Sequence, residues 1–131
     1  MPNQLTKIER LPDAELDVML VLWSEKRPLK TAEIFEVLSR KKNWTPSTLQ
    51  ALLARLEQRG FVTVKKEGRL KRYYPLVEEE IYRSQETSTF LERLHGNSVK
   101  SLFAALIDGK KLKPSDLDEI AQMLKDDQKE E

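Results

Sequence analysis

The sequence predicts a mainly α fold with one small β-hairpin, organised as two units along the chain. Three observations predict it. Three short segments of helical period fill the first sixty residues. A stretch rich in β-branched and aromatic residues surrounds a Gly turn over 61–75, and helical period returns from 78 onwards.

The first helix opens at Asp13-Ala14-Glu15-Leu16, with acids in its first turn to suit the helix dipole. Leu16, Met19, Leu20 and Trp23 recur at i, i+3, i+4 and i+7 and predict its buried stripe, and Pro28 closes the segment. Thr31 is the expected N-cap of a second helix carrying Ile34, Phe35 and Leu38, broken at Lys41-Lys42-Asn43. The third helix has the clearest start. Thr45 caps it, Pro46 suits the first helical position, and Trp44 is placed to pack on Leu49 as a hydrophobic staple. Leu49, Leu52, Leu53 and Leu56 form its apolar stripe, and Gly60 stands just past its end, so it covers about 46–59.

The period then changes. Phe61 to Val64 predicts a strand, Glu67-Gly68 a turn, and Leu70 to Tyr74 a returning strand that stops at Pro75. Three short helices, the second and third joined by about five residues, followed by a hairpin describe a winged helix-turn-helix. Beyond Val77, three helical segments carry Ile81, Phe90, Leu91 and Leu94, then Val99, Leu102, Phe103 and Leu106, then Leu117, Ile120, Ala121 and Leu124. Residues 78–131 are too few to close a core of their own, so their apolar faces need a partner, and a second copy of the chain is the economical one. Asp126 to Glu131 read as a frayed, charged end. The expected domains are therefore 1–77, a winged helix, and 78–131, C-terminal dimerisation helices. A chain ending at Val77 is expected to fold as a monomer.

Composition excludes several function classes. With no cysteine and one histidine in 131 residues, there is no disulfide, thiolate site or cysteine nucleophile and little scope for zinc or imidazole chemistry. No phosphate loop or catalytic triad appears, and neither enzymatic activity, metal nor cofactor is expected. His95 is expected to do nothing chemical, and the acids Asp116, Asp118 and Glu119 suit a helix's first turn without a metal. The longest apolar runs, Val18–Trp23 and Leu102–Ile107, have six residues, far from the roughly 20 that span a bilayer. The polar start Met1-Pro2-Asn3-Gln4 is no signal peptide, and a soluble, cytoplasmic protein is expected.

Charge is unevenly placed. Residues 1–77 hold 15 Lys and Arg against 9 Asp and Glu, a net +6, while 78–131 hold 8 against 13, a net −5. Within 40–77 the balance is 10 to 2, a local +8. Solvation of a surface explains a net of two or three, whereas +8 in so short a segment is a footprint for phosphate. Removing the buried stripe of the third helix leaves Ser47, Thr48, Gln50, Ala51 and Arg55 on other faces. Together with the cap Thr45 they form a surface suited to the major groove. Ser47 and Thr48 donate to phosphate or base edges, Gln50 pairs with adenine, Ala51 meets a thymine methyl, and Arg55 reaches phosphate or guanine. Lys65, Lys66, Arg69, Lys71 and Arg72 lie on or beside the hairpin turn, placed to grip phosphates flanking the groove, with Arg40-Lys41-Lys42 nearby. An ordinary polar helix face and a hairpin edge protected by lysines are the bland alternatives, and fewer charges would serve for those. Trp23 and Trp44 read as core and staple. Tyr73 and Tyr74 alternate across their strand, so one of them packs inward.

These residues carry a resemblance. Trp44-Thr45-Pro46-Ser47-Thr48, Leu52, Arg55-Leu56, Arg59-Gly60, Gly68-Arg69 and Tyr73-Tyr74-Pro75-Leu76-Val77 stand in an ordered set that resembles the BlaI/MecI/CopY family of bacterial winged-helix repressors over about residues 11–125. Ala14-Glu15 and Trp23 in the first helix, and Phe90-Leu91 and Gly96 in the tail, fit the same pattern. The resemblance implies a homodimer whose C-terminal helices interlock. It also implies repression at an inverted-repeat operator of double-stranded DNA, with the helix of about 46–59 in the major groove and the basic wing of about 65–72 on the phosphate backbone. In better-known relatives a membrane sensor metalloprotease pathway triggers cleavage in the dimerisation helices, commonly at an Asn-Phe bond. The aligned stretch here reads Ala104-Ala105-Leu106. Copper-responsive relatives carry a cysteine-rich tail, and basic residues early in the recognition helix are replaced here by Ser47 and Gln50. A ligand-gated winged-helix regulator of another family and a winged-helix protein–protein adaptor are the rival readings.

Overall fold

A computed structural model of the chain describes residues 8–129, which leaves Met1-Pro2-Asn3-Gln4 outside the described residues. In chain order it contains α1 (Asp13–Glu25), β1 (Leu29–Lys30), α2 (Thr31–Ser39), α3 (Pro46–Gln58), β2 (Val62–Glu67), β3 (Leu70–Pro75), α4 (Glu79–His95), α5 (Val99–Asp108) and α6 (Pro114–Lys129). The chain divides into two compact units, one running to Glu86 and one starting at Thr87. Helices dominate, with a three-stranded antiparallel sheet of order β1-β3-β2.

In the first unit α1, α2 and α3 close over the sheet around Val18, Met19, Leu22, Ile34, Leu49, Leu53, Leu56 and Phe61. The buried stripe of α3 is Leu49, Leu52, Leu53 and Leu56, as its spacing predicts. Its C-terminus is a Schellman turn. The Phe61 amide donates to the Leu56 carbonyl (2.9 Å), the Gly60 amide donates to that of Glu57 (3.1 Å), and Gly60 takes φ +80°. That turn drops Phe61 into the core and launches β2.

Four expectations need correction here. The stripe of α1 is rotated. Val18, Met19 and Leu22 are buried with Glu15, whereas Leu20 is exposed and Leu16 half-buried. Six consecutive apolar residues had hidden the period. The N-cap of α2 is Lys30 rather than Thr31, and its amide donates to the Glu33 carboxylate (2.9 Å). The sheet gains a third strand, Leu29–Lys30, paired on the free edge of β3. The turn of the hairpin is Gly68-Arg69, with Glu67 still in β2 opposite Leu70. Gly68 at φ +65° followed by Arg69 at negative φ is the II′ arrangement, whose twist matches that of the strands.

The first unit also extends past Val77. Tyr82, on the first turns of α4, is buried with Trp23 and Phe61, at centroid distances of 5.7 and 5.9 Å. Its hydroxyl accepts from the Leu11 amide (3.0 Å) and donates to Glu86 (2.8 Å). The Trp23 indole donates to the Val77 carbonyl (2.9 Å), and Gln85 accepts from the Ile8 amide (2.7 Å). A chain ending at Val77 would lose Tyr82 from this core, so Glu86 is the structural boundary. Ile81 belongs to this unit and is half-buried.

The second unit holds the end of α4 with α5 and α6. Among its described residues no side chain is buried within the single chain, and Leu94, Val99, Ile107, Met123 and Leu124 are each more than half exposed. Ser98 caps α5, accepting from the Ser101 amide (3.0 Å), and His95 Nδ1 lies 2.9 Å from Ser101 Oγ. Helix α6 continues to Lys129, so Asp126–Lys129 is helical rather than frayed; Glu130 and Glu131 lie outside the described residues.

Burial pushes the Tyr82 phenol up to about 12. Below pH 10 it is protonated whether folded or unfolded and adds no pH dependence. Above its unfolded value, near 10, the unfolded chain ionises first, so stability falls as pH rises from 10 towards 12. Tyr82→Phe is expected to remove that share, leaving the share of Tyr73, whose pKa burial also raises. It also leaves the Leu11 amide without its acceptor, at about 1–3 kcal/mol. Thermal unfolding at pH 9 and 11 checks both.

Candidate nucleic-acid interface

Helix α3 presents its polar side outward. Thr45, Ser47, Thr48, Gln50, Ala51 and Arg55 are all exposed while the leucine stripe one face away is buried. Thr45 has a structural task as well. Its hydroxyl accepts the Thr48 amide (3.2 Å) and lies 3.1 Å from both the Ser47 and Thr48 hydroxyls. It caps the helix and gathers two hydroxyls at its first turn. Gln50 and Ala51 are left free to meet a ligand, and the Ser47 and Thr48 hydroxyls, exposed beside Thr45, can still offer their remaining hydrogen-bonding capacity.

The hairpin register sorts the wing by face. Val64 opposite Tyr73 lies on the side that packs on the helices, and two residues outward on that side Lys66 stands opposite Lys71. Both lysines are exposed, and neither has an ion-pair partner among the described residues. Like charges directly opposite in a sheet are destabilising, so two bare ammoniums on this side serve something other than the hairpin. On the outer side, Thr63 opposite Tyr74 is followed by Lys65 opposite Arg72. Here the cations are engaged. The Lys65 ammonium sits 5.5 Å from the Tyr74 ring centroid, and Arg72 Nε lies 3.2 Å from a Glu67 carboxylate oxygen. Arg69 projects from the turn and is exposed. At the end of α2, Arg40 pairs with Glu36 (2.8 Å) and Lys42 with Asp17 (3.7 Å), and Lys41 is exposed. The sequence therefore located every wing cation but could not rank them. Lys71 emerges as the structural twin of Lys66.

Sequence reasoning missed the residue that fixes α3 in place. Arg59, at the C-cap, joins Glu9 and Glu15, with Nε 2.9 Å from Glu15 Oε1. Glu15 is only 2% exposed and is the one charged member of the core. The N–H does not point along that line, so Oε1 has charge compensation without an aligned hydrogen bond. The hydrogen bond to Glu9 is the largest influence on the Arg59 pKa and raises it; burial, next in size, opposes it, and the charges of Glu15 and Glu9 add to the rise. A signal existed in the sequence: Glu15 falls on the same helical face as Val18, Met19 and Leu22, where an acid demands a cation.

Arg59→Met is expected to strand a buried carboxylate and lower the melting temperature well below that of wild type. Arg55→Met, at an exposed position, stays within about 0.5 kcal/mol. Because replacing both partners by apolar groups is often neutral, Glu15→Met with Arg59→Met recovers most of the loss. Circular-dichroism melts of the three variants are the measurement.

Among the described residues no cluster of His, Asp or Glu forms a metal site, and no helix is long and apolar enough to cross a membrane. A family model described as penicillinase repressor matches residues 11–126. The chain is 31% identical over 122 residues to the penicillinase repressor of Bacillus licheniformis, an alignment covering 93% of this chain and 94% of that one. It is 27% identical over 118 residues to the methicillin resistance regulatory protein MecI of Staphylococcus aureus (strain N315), covering 90% and 95%. Among solved structures, the DNA-binding domain of the repressor BlaI in solution matches with a TM-score of 0.51 at 40% identity, over 59% of this chain and 93% of that one. The monomeric form of Bacillus licheniformis BlaI in complex with the blaP half-operator matches at 0.50 and 39%, over 58% and 92%. The family match runs through both units, winged helix and C-terminal helices alike, and the chain belongs to the penicillinase repressor family.

Proposed function

We propose that this chain is a homodimeric DNA-binding transcriptional repressor that recognises an inverted-repeat operator, one winged helix on each half-site. The observation that carries the reading is the two-sided character of α3. One face is buried leucine, the other is exposed Ser47, Thr48, Gln50, Ala51 and Arg55, and the wing beside it bears the bare pair Lys66 and Lys71. In this reading α3 enters the major groove with its first turns against base edges. Lys66, Lys71 and Arg69 hold the flanking phosphates. The monomeric BlaI on a half-operator supports one protomer per half-site.

The second unit supplies the link between protomers. Its exposed Phe90, Leu94, Val99, Leu117 and Leu124, with the half-exposed Leu91, Leu102, Phe103, Leu106 and Ile120, are apolar faces that a second copy would cover. Ile107 and Met123, which periodicity alone did not single out, join them. Joining two half-site contacts makes the second effectively intramolecular and raises affinity far above that of one half. Release then comes from anything that separates the chains. Cleavage near Ala104-Ala105 by a protease of a sensor pathway would do so, parting Phe103 from Leu106. Such a repressor works in the cytoplasm, where its operator is.

If a dimer makes about 6–10 phosphate contacts, affinity falls about 10³–10⁵-fold between 50 and 200 mM salt. Lys66→Ala with Lys71→Ala weakens binding to all sequences and flattens that dependence, whereas Gln50→Ala relaxes preference at one or two base pairs. A flat titration of the wild type would refute DNA binding. The operator for these assays is obtained by selecting bound sequences from random DNA.

Leu106→Asp sets an unpaired charge in the proposed dimer contact, which is strongly destabilising there. Light scattering is expected to show a monomer, and the gain of a palindrome over a single half-site is expected to vanish. A variant that remains dimeric would place the interface elsewhere.

A further inference from the structure

The outer face of the sheet holds an arrangement that DNA binding through α3 does not use. Register places Lys30 of β1, Arg72 of β3 and Lys65 of β2 side by side, a row of three cations crossing all three strands. Such a row on a twisted sheet is itself a surface for phosphate. It faces away from the side on which α3 packs, so DNA bound there would leave the recognition helix unread.

Glu33 lies beside Lys30 at one end of the row, and within the hairpin one residue interrupts it. Glu67 is the sole carboxylate between Val62 and Pro75, in a hairpin with five Lys and Arg. It stands on the outer face, opposite Leu70, and reaches diagonally to Arg72, the middle cation of the row. Its own side chain is 68% exposed, whereas that of Arg72 is 31% exposed. The II′ turn is set by Gly68 and needs no acid before it. On the inner face, by contrast, Lys66 and Lys71 have no such companion among the described residues.

We propose that Glu67 is a specificity determinant that makes the wing one-sided. By holding Arg72 and setting a negative charge on the outer face, it stops the Lys30–Arg72–Lys65 row from acting as a second phosphate surface. DNA then meets the wing from the side of α3. The inference rests on the DNA-binding reading. Its consequence is for selectivity: non-specific binding is almost wholly phosphate contact, so a second cationic face strengthens it without adding base readout. The ratio of specific to non-specific affinity, which governs occupancy among many competing sites, is then lowered. A like charge that penalises the wrong mode is a direct way to keep that ratio high.

The test uses the full-length protein and a fluorescein-labelled duplex of random sequence, titrated by anisotropy across salt concentrations. Glu67→Gln frees Arg72 and is expected to tighten binding on the order of tenfold at 50 mM salt and to steepen the log–log salt dependence by about 0.9 for each further phosphate neutralised. Affinity for the selected palindrome rises less, so the specific-to-random ratio falls. Arg72→Gln alone leaves the random-duplex slope unchanged, because that cation is already engaged, and Glu67→Gln with Arg72→Gln returns the slope to wild type. Glu92→Gln, the same charge change on an exposed turn of α4, moves neither. An unchanged slope in Glu67→Gln, or an equal gain in Glu92→Gln, overturns the proposal while leaving DNA binding intact. A wild type whose binding ignores salt overturns both.

Discussion

A carboxylate does not stay ionised in an apolar core without a cation beside it, and the first unit is arranged around that constraint. Glu15 stands in the first turn of α1 on its buried face, and Arg59, the C-cap of α3, answers it. The pair joins the start of α1 to the end of α3. The path of the chain beyond α3 depends on that junction. Gly60 takes the left-handed turn beside Arg59, Phe61 drops into the core, and β2 begins in a register that Val62 and Tyr73 then fix from below. Because side chains alternate, that register alone decides which wing lysines face the side of α3 and which face away. A contact between one buried acid and a cation at the rim of the core thus bears on the polarity of the charged surface.

Much of this architecture was legible in the sequence, where local chemistry and burial agree. Helix α3 shows it best, since Thr45 and Pro46, the leucine spacing and Gly60 each point to the same boundaries, and the structure has all of them. The readings that failed lacked such agreement. Strand β1 has two residues, too short to show alternation, and exists because β3 offers a free edge. The stripe of α1 was hidden by apolar residues at every position from Val18 to Trp23, and its decisive member was an acid. The reach of the first unit to Glu86 depends on contacts far apart in the chain, among them the Tyr82 ring on Trp23 and Phe61 and its hydroxyl meeting an amide seventy-one residues earlier, at Leu11. No local pattern announces that. For the interface, residue types and exposure followed from periodicity, whereas which cations are free was set by Glu67, Glu36, Asp17 and Tyr74, neighbours that only the fold supplies.

The two units divide the labour by charge and by burial. The first concentrates its apolar residues inside and its cations outside; the second leaves its apolar residues outside and holds 9 Asp and Glu against 7 Lys and Arg, a net −2. An acidic unit gains nothing from phosphate, and one with no buried side chain among its described residues has a reason to meet another copy. A stretch this short buries too little surface to be stable alone, so in the proposed dimer association and folding of the tail become one process. In the proposed dimer, affinity for an operator is coupled to association through the tail, without the tail having to touch DNA.

Energetics explain how the proposed selectivity of the wing is compatible with a weak contribution to folding. An exposed ion pair such as Glu67–Arg72 contributes at most about 1 kcal/mol to stability, so the hairpin does not depend on it. A difference of about 1.4 kcal/mol between two binding modes is nevertheless a tenfold change in their ratio, within reach of a single like charge placed against phosphate. The same interaction is therefore minor for folding and large for discrimination. Discrimination is a difference between states that share most of their contacts, and in such a difference the large common term, the attraction of the basic segment to any DNA, cancels. What survives is the placement of a few groups on one face or the other of a strand, and that placement was set at Glu15, Arg59 and Gly60.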